Sequence, residues 1–320
     1  MPYQIGTDEA GYGPNLGPLT ICGTAWRAES ENQDIYEALS DTISADPNPK
    51  SKRIPICDSK KIYSSSRGID TLETVVLAIL FSLHKTIPKN LNSLLKLVST
   101  VDDSRPQSST SKSLFLKNSV PLPIGKNESK IKQLATHFSD ACCRSGIALQ
   151  AIDCRVIFPD QFNCLVEKLG NKAELLSSQT LDCVSQLSKP MTGNINVMCD
   201  KHGGRSKYSG LLNRYLTDQF IYVDCESRPI SKYHWKKSKH LFEISFKSQG
   251  ESFCPTALSS MIAKYVREVC MESWNGYWAK QVPGIKPTKG YPLDAKRFKK
   301  EISKRQLDLG IADDLIWRRC

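Results

Sequence analysis

The chain has 320 residues, 24% of them charged and 40% hydrophobic, which is an ordinary globular composition and excludes collagen-like and wholly disordered classes. The longest apolar run, Val75 to Leu83 with Ser82 inside it, is too short to span a bilayer, and the opening residues carry no basic segment followed by an apolar one, so neither a membrane protein nor a cleaved secretory signal is expected. Lysine and arginine number 44 against 33 acidic residues, a net charge of +11 that favours polyanionic partners, nucleic acid first.

The opening reads as a strand, Tyr3 to Ile5. A Gly/Pro-rich loop follows from Gly6 to Pro18, then a second strand from Leu19 to Trp26. Glu31 to Ser44 has the pattern of a short amphipathic helix. Ile54 to Cys57 is a brief apolar run closing on Asp58-Ser59-Lys60-Lys61. Leu72 to His84 has helical apolar spacing without Gly or Pro. Asn90 to Glu128 is Ser-rich, carries three prolines and the tract Ser104 to Ser111, and reads as an inserted loop. Ser129 to Ser145 is helical, Ala148 to Phe158 strand-like, and Pro159 to Leu187 one or two helices. Ile195 to Cys199 is a short buried strand ending at Asp200. Leu211 to Tyr215, Phe220 to Cys225 and Leu241 to Phe246 supply more helix and strand. Pro255 to Ser273 is a strong helix with its proline in the first turn. The basic tail from Lys286 turns helical after Asp294. Strands alternating with helices predict an α/β class, a mixed central sheet with helices on both sides.

Twelve cysteines are present, none in a CxxC pair, so a zinc ribbon is not expected. Several sit inside apolar runs, where free cysteine behaves as a small hydrophobe. Free thiols in a reducing cytoplasm are the reading. Histidine is scarce, with no HExxH, and no GxxxxGK[ST] occurs, which argues against a zinc hydrolase and a P-loop nucleotidase.

Three places carry candidate chemistry. Asp8 and Glu9 are adjacent carboxylates after the first strand. Neighbours on a strand point to opposite faces, but at its end they can converge. Asp200 ends an apolar run and is followed by Lys201-His202-Gly203-Gly204-Arg205, a glycine-rich basic turn suited to phosphate groups. Glu251 precedes the Pro255 helix. Four carboxylates meeting in space repel one another unless cations neutralise them. Oxygen-only ligands select Mg²⁺ or Mn²⁺, and such ions suit phosphodiester hydrolysis.

The segment Ile5-Gly6-Thr7-Asp8-Glu9-Ala10-Gly11-Tyr12-Gly13-Pro14, with Gly17-Pro18, resembles the opening signature of type 2 ribonucleases H. Cys57 to Ile62 resembles that family's Asp-Ser-Lys-Lys-Leu element. Gly250-Glu251-Ser252 with Ala257 to Tyr265 resembles its late Ala-Ala-Ser-Ile-Leu-Ala-Lys helix, and Lys289-Gly290-Tyr291-Pro292 its Lys-Gly-Tyr element. The four matches keep the family's order. The resemblance implies a ribonuclease H-like fold and a two-metal endonuclease acting on RNA–DNA hybrids or on ribonucleotides embedded in duplex DNA, leaving 5′-phosphate and 3′-hydroxyl ends. It makes Asp8, Glu9, Asp200 and Glu251 both the catalytic acids and the metal ligands. It sets Gly11, Tyr12, Gly13, Ser59, Lys60, Lys61 and Tyr291 against the substrate. The Glu at the fourth acidic place looks like the HIII branch, whereas Ala10 and Pro14 look like the HII branch. Tyr12 stands where the HII pattern has Arg, removing a fixed cation and adding a stacking surface beside the group that reads the 2′-OH.

Asn171-Lys172 reads as a helix cap that could reach the substrate. Arg297, Lys299 and Lys300 could add duplex affinity or simply form an exposed helix face. A catalytic domain over 1–270, with the 90–128 insertion, and a basic helical extension over 271–320 are expected, in a monomer. The rival reading on the same fold is a nucleic-acid-binding protein of altered or lost turnover.

Overall fold

A computed structural model describes residues 1–320 apart from 32, 49, 65, 100–108 and 320. The chain opens with β1 (Tyr3–Ala10) and β2 (Leu19–Arg27), followed by α1 (Ile35–Ala38), the short strands β3 (Ile43–Ser44) and β4 (Ile54–Pro55), and α2 (Ser59–Ile62). Four helices come next: α3 (Asp70–His84), α4 (Leu91–Leu97), α5 (Thr110–Leu116) and α6 (Glu128–Arg144). Then come β5 (Ala148–Ile157), α7 (Pro159–Leu169), α8 (Lys172–Ser188), β6 (Ile195–Asp200) and α9 (Ser209–Tyr215). The last part holds β7 (Tyr222–Glu226), β8 (Ile230–Lys237), β9 (His240–Lys247), α10 (Cys254–Gln281) and α11 (Pro292–Asp308).

Seven strands form one sheet in the order β5-β2-β1-β6-β9-β8-β7. The β5-β2-β1 half is antiparallel, the steps β1 to β6 and β6 to β9 are parallel, and β9, β8 and β7 alternate again. The expected class, a mixed central sheet flanked by helices, is the observed one.

Strand β2 is buried at every position except Arg27, because helices cover both of its faces. On one face lies α10, whose side chains are buried along most of its length. Small side chains let it approach the sheet closely. The Thr24 hydroxyl donates to the Pro255 carbonyl (2.8 Å), the Ser259 hydroxyl to the Gly6 carbonyl (2.8 Å), and the Thr20 hydroxyl to the Ala263 carbonyl (2.9 Å). On the other face α8 sets Leu187 and Cys183 against Gly23. Gly6 is the tightest point of the first contact: a Cβ there would overlap the backbone of Pro255 and Thr256. Backbone on both sides cannot swing away as a side chain can. Gly6→Ala is therefore expected to cost at least about 2 kcal/mol, the upper part of the overpacking range. A urea midpoint equal to that of wild type would show that strand and helix can part without penalty.

Several expectations need correction. Asp8 and Glu9 are not in a loop: β1 continues through Ala10, paired with β2 as far as Ala10 opposite Thr20. The helix expected over Glu31 to Ser44 is only Ile35–Ala38, followed by β3. Strand β8 was not foreseen because it holds no run of consecutive apolar residues; its buried Ser231, Tyr233 and Trp235 alternate with Lys232, His234 and Lys236 in the two-residue period of a half-buried strand. The segment 90–128 is not a bare loop. Helix α4 buries Leu91, Leu94 and Leu95, and α5 buries Leu114 and Phe115, the latter stacked on Trp274 of α10 at 4.8 Å. The buried Glu73 carboxylate of α3 accepts from the Ile124 and Gly125 amides (2.9 and 2.8 Å) and the Tyr265 hydroxyl (2.9 Å), tying this segment to the core. Residues 104–108 of the Ser-rich tract lie outside the described residues. Helix α10 runs through residue 270, and Phe298 and Ile302 of α11 share a hydrophobic cluster with Trp274. The eleven described cysteines are all free thiols, and no helix among the described residues is long and apolar enough to cross a membrane.

Candidate metal centre

Pairing between the parallel strands β1 and β6 ends at Thr7 opposite Cys199, so Asp8 and Asp200 are the next residue on each. The point where this parallel pairing stops therefore sets two carboxylates side by side, Asp8 within β1 and Asp200 at the end of β6. Glu9 joins them: one carboxylate oxygen from each of Asp8, Glu9 and Asp200 lies within 4.8 Å of the others. The Glu9 amide donates to the Asp8 carboxylate (2.7 Å) and the Gly250 amide to that of Asp200 (3.2 Å), which fixes both acids in place.

The electrostatics are those of a site built for added positive charge. Burial first, then Glu9 and Asp200, hold the Asp8 carboxyl well above the usual carboxylate range; a Ser260 hydrogen bond only partly offsets this. Burial and Asp200 push Glu9 up to about 7 against the pull of Lys60. Burial also raises Asp200, against hydrogen bonds from the Gly250 and Lys201 amides. Buried like charges of this kind are stable together only when protonated or when a cation sits among them. The donor set is oxygen only, with no histidine or cysteine in the cluster, which fits Mg²⁺ or Mn²⁺ better than zinc.

Glu251 lies in the short turn Gly250–Ser252 just before α10. It stands outside the three-carboxylate group, close enough for its charge to act on Glu9 and for that of Asp200 to act on it. Two further residues act here. Asp58 caps α2, accepting from the Lys60 amide (2.9 Å), and its charge raises both Asp200 and Glu251. Sequence reasoning missed Asp58, whose cap position is visible in the sequence but whose direction is set by the fold. The Lys60 ammonium is held above its ordinary value, because Asp58, Glu251, Asp8 and Asp200 outweigh its burial.

The other candidates spread around this centre. Ser59 is buried, its hydroxyl taken by Ser260 (3.1 Å), and so backs the Asp8 wall instead of facing solvent. Lys61 is exposed and pairs with Asp46 at 3.4 Å. Gly11 occupies left-handed backbone (φ +86°), with the buried Arg267 side chain filling the space where its Cβ would stand. Tyr12 packs against the cluster of Leu19, Phe162 and Leu175, with the Lys172 ammonium 5.1 Å from its ring centre. Asn171 is a helix cap, accepting from the Glu174 amide (2.9 Å). Tyr291 is 55% exposed at the start of α11, beside the Gly290 carbonyl that accepts from the Asn15 and Leu16 amides. The opening loop is closed from behind by Arg318. This guanidinium is buried, donates to the Pro14 and Tyr12 carbonyls, and stands 4.4 Å from the Phe162 ring centre. Arg297 and Lys299 are each engaged by acids, Arg297 with Asp294 and Glu301, Lys299 with Asp313.

Fold and site together define an α/β protein whose mixed seven-stranded sheet carries a partly buried acidic cluster beside its central parallel strands. No protein-family model matches the chain, and no curated protein matches it either. Among solved structures it is similar to ribonuclease H2 from Pyrococcus horikoshii OT3, at 15% identity over 98% of this chain and 92% of that one, with a TM-score of 0.46. It is similar to RNase HII from Archaeoglobus fulgidus, solved in complex with PCNA, at 14% identity over 98% and 92%, TM-score 0.45. It is also similar to Bst-RNase HIII, solved with Mn²⁺, at 15% identity over 99% of this chain and 65% of that one, TM-score 0.40.

Proposed function

We propose that the protein is a divalent-metal-dependent endonuclease that hydrolyses the RNA strand of RNA–DNA hybrids, or duplex DNA at embedded ribonucleotides, leaving 5′-phosphate and 3′-hydroxyl ends. The observation that carries this reading is the convergence of Asp8, Glu9 and Asp200 within 4.8 Å where the pairing of β1 with β6 ends. The four ordered matches to type 2 ribonucleases H supply the substrate class.

Asp8, Glu9 and Asp200 would hold Mg²⁺ or Mn²⁺, with Glu251 placed to bind or position a second ion. Bound there, such ions supply an activated water and stabilise the leaving oxygen. The chain's own groups do the rest. The Glu9 amide and Ser260 orient Asp8, and the Gly250 amide orients Asp200. Lys60 is an exposed cation under the pull of four acids, placed to draw in the scissile phosphate. Tyr12 and Tyr291 offer rings to sugar or base at the rim.

The test is cleavage of a labelled RNA–DNA hybrid and of a DNA duplex carrying one ribonucleotide, with Mg²⁺ or Mn²⁺ and with chelator. Metal-dependent cutting confined to ribonucleotide-containing strands supports the reading, and the ratio between substrates gives the preference. Binding of both duplexes without cutting either would replace it with a nucleic-acid-binding protein of lost or altered turnover.

A further inference from the structure

The carboxylate cluster leaves unused the segment that follows Asp200, Lys201 to Lys207. Its first two side chains point inward. The Lys201 ammonium is buried and donates to the carbonyls of Arg205 (3.2 Å) and Ser227 (2.7 Å) and to the Ser231 hydroxyl (3.2 Å). His202 is buried, its Nδ1 3.0 Å from the Ser177 hydroxyl, with Tyr208 and Phe246 edge-on to its ring at 5.8 and 5.7 Å. Its amide donates to the Tyr208 hydroxyl (3.2 Å). Ring and amide together anchor the turn against Ser177 and Tyr208. The turn is thus wrapped around one ammonium and pinned by one imidazole.

The tip faces outward: Gly203, Gly204 and Lys207 are exposed. Gly203 sits in left-handed backbone (φ +62°), which explains its lack of a side chain. Gly204 has no such reason. Its backbone is outside that region, and a Cβ there would meet nothing within 4 Å. Nothing in the fold requires glycine at 204, which points to something outside the chain coming close. Arg205 is drawn towards Glu174 (3.7 Å), but Lys207 has no ion pair and the Gly204 amide no acceptor among the described residues. Four peptide steps put the Gly204 Cα within about 15 Å of that of Asp200, the length of roughly four duplex steps along one strand.

We propose that this turn is a phosphate subsite for the nucleic-acid strand beside the cut, with the Gly204 amide and the Lys207 ammonium as its donors. The bare Cα of Gly204 lets a phosphate reach the backbone, and the buried Lys201 and His202 hold the donors in place before binding. The proposal rests on the nucleic-acid reading above and adds a location to it.

The test is fluorescence anisotropy of a labelled RNA–DNA hybrid in chelator, across a salt series, with wild type, Gly204→Ala, Lys207→Ala and the exposed helix-α6 control Lys130→Ala. Gly204→Ala is expected to weaken binding about fivefold or more with an unchanged melting temperature. Lys207→Ala should weaken it similarly and reduce the salt slope by about 0.9, the loss of one phosphate contact. Variants that bind as wild type does, with the same slope, would overturn the subsite and leave the nuclease reading standing. So would a Lys130→Ala loss as large as that of Lys207→Ala, since net charge alone would then explain both. Wild type that binds no nucleic acid would overturn both readings.

Discussion

Asp8→Asn is expected to cut turnover by on the order of a thousandfold or more, about 4 kcal/mol of transition-state stabilisation at 1.36 kcal/mol per decade. Asp8 is the most enclosed of the three converging carboxylates, 8% exposed, and it accepts from the Glu9 amide at 2.7 Å. Asparagine keeps the shape and an acceptor oxygen while removing one negative charge. The same change has an opposite expected effect on stability without metal. Burial and the neighbouring charges of Glu9 and Asp200 all disfavour the Asp8 carboxylate, so neutralising it relieves repulsion. In chelator the variant should melt above wild type. With Mg²⁺ or Mn²⁺ the order should narrow or invert, because wild type gains from a ligand that binds only the folded state. Thermal melts with and without metal, run beside the cleavage assay, read both effects. Full activity in Asp8→Asn, or an identical metal-induced shift in both proteins, would remove Asp8 from the metal centre.

The second large effect is structural. Glu268 on α10 is 3% exposed and is surrounded by donors: the Lys264 ammonium (2.7 Å), the Lys289 ammonium (2.6 Å) and the Tyr63 hydroxyl (2.6 Å). Burial alone would raise its pKa. Lys264 and Lys289 overcome that and draw it down to about 2. Lys264 itself shifts the other way from a simple ion pair, because its burial outweighs the pull of Glu268, so the strength of the group is read from the carboxylate, which both lysines face. Glu268→Gln removes the charge that two partly buried ammoniums depend on, and the expected loss is about 3–5 kcal/mol. The pH dependence follows from the sign of the shift. A carboxyl whose folded pKa lies below its unfolded value adds stability above about pH 4.5, and that stability is lost as the pH falls towards 2. Denaturation midpoints measured between pH 5 and 2.5 should fall more steeply for wild type than for Glu268→Gln. Parallel curves would mean the carboxylate is not held by its lysines.

Much of the site was legible in the sequence because it is local there. Asp8 and Glu9 are adjacent and Asp200 closes a short apolar run, so these three could be picked out as candidates without a fold, whereas Glu251, marked only by its place before α10, stands outside the converging group. What was lost was lost for identifiable reasons. Gly6 and Gly11 suggested a turn around Asp8, yet Gly6 is demanded by helix α10 lying on the strand and Gly11 by Arg267 behind it. In 90–128, Leu91, Leu94, Leu95 and Val98 already carry a helical stripe, but serine and proline around them dominated the composition. Asp58 has an ordinary capping signature, and only the packing of α2 beside the cluster turns its charge towards Asp200. Arg267 and Glu268 look like the polar face of a helix, but α10 is buried almost all round, so its charged residues become internal clamps.

The contact between Arg318 and the opening loop has a consequence in time. The loop that would lie against the substrate is made early, yet its backbone carbonyls at Tyr12 and Pro14 wait for a guanidinium some three hundred positions later, and Leu16 waits for its bridge to Trp317. A chain stopped at residue 315 is expected to keep the sheet and the bonds from the Asn15 and Leu16 amides to Gly290, while the amides of Tyr12, Gly13 and Gly17 exchange faster than in the full chain, which hydrogen-exchange mass spectrometry would show. During synthesis the central strands can pair before then, but the opening loop is braced only once the segment carrying Trp317 and Arg318 has emerged, so the growing chain passes through a folded state in which that loop is still loose.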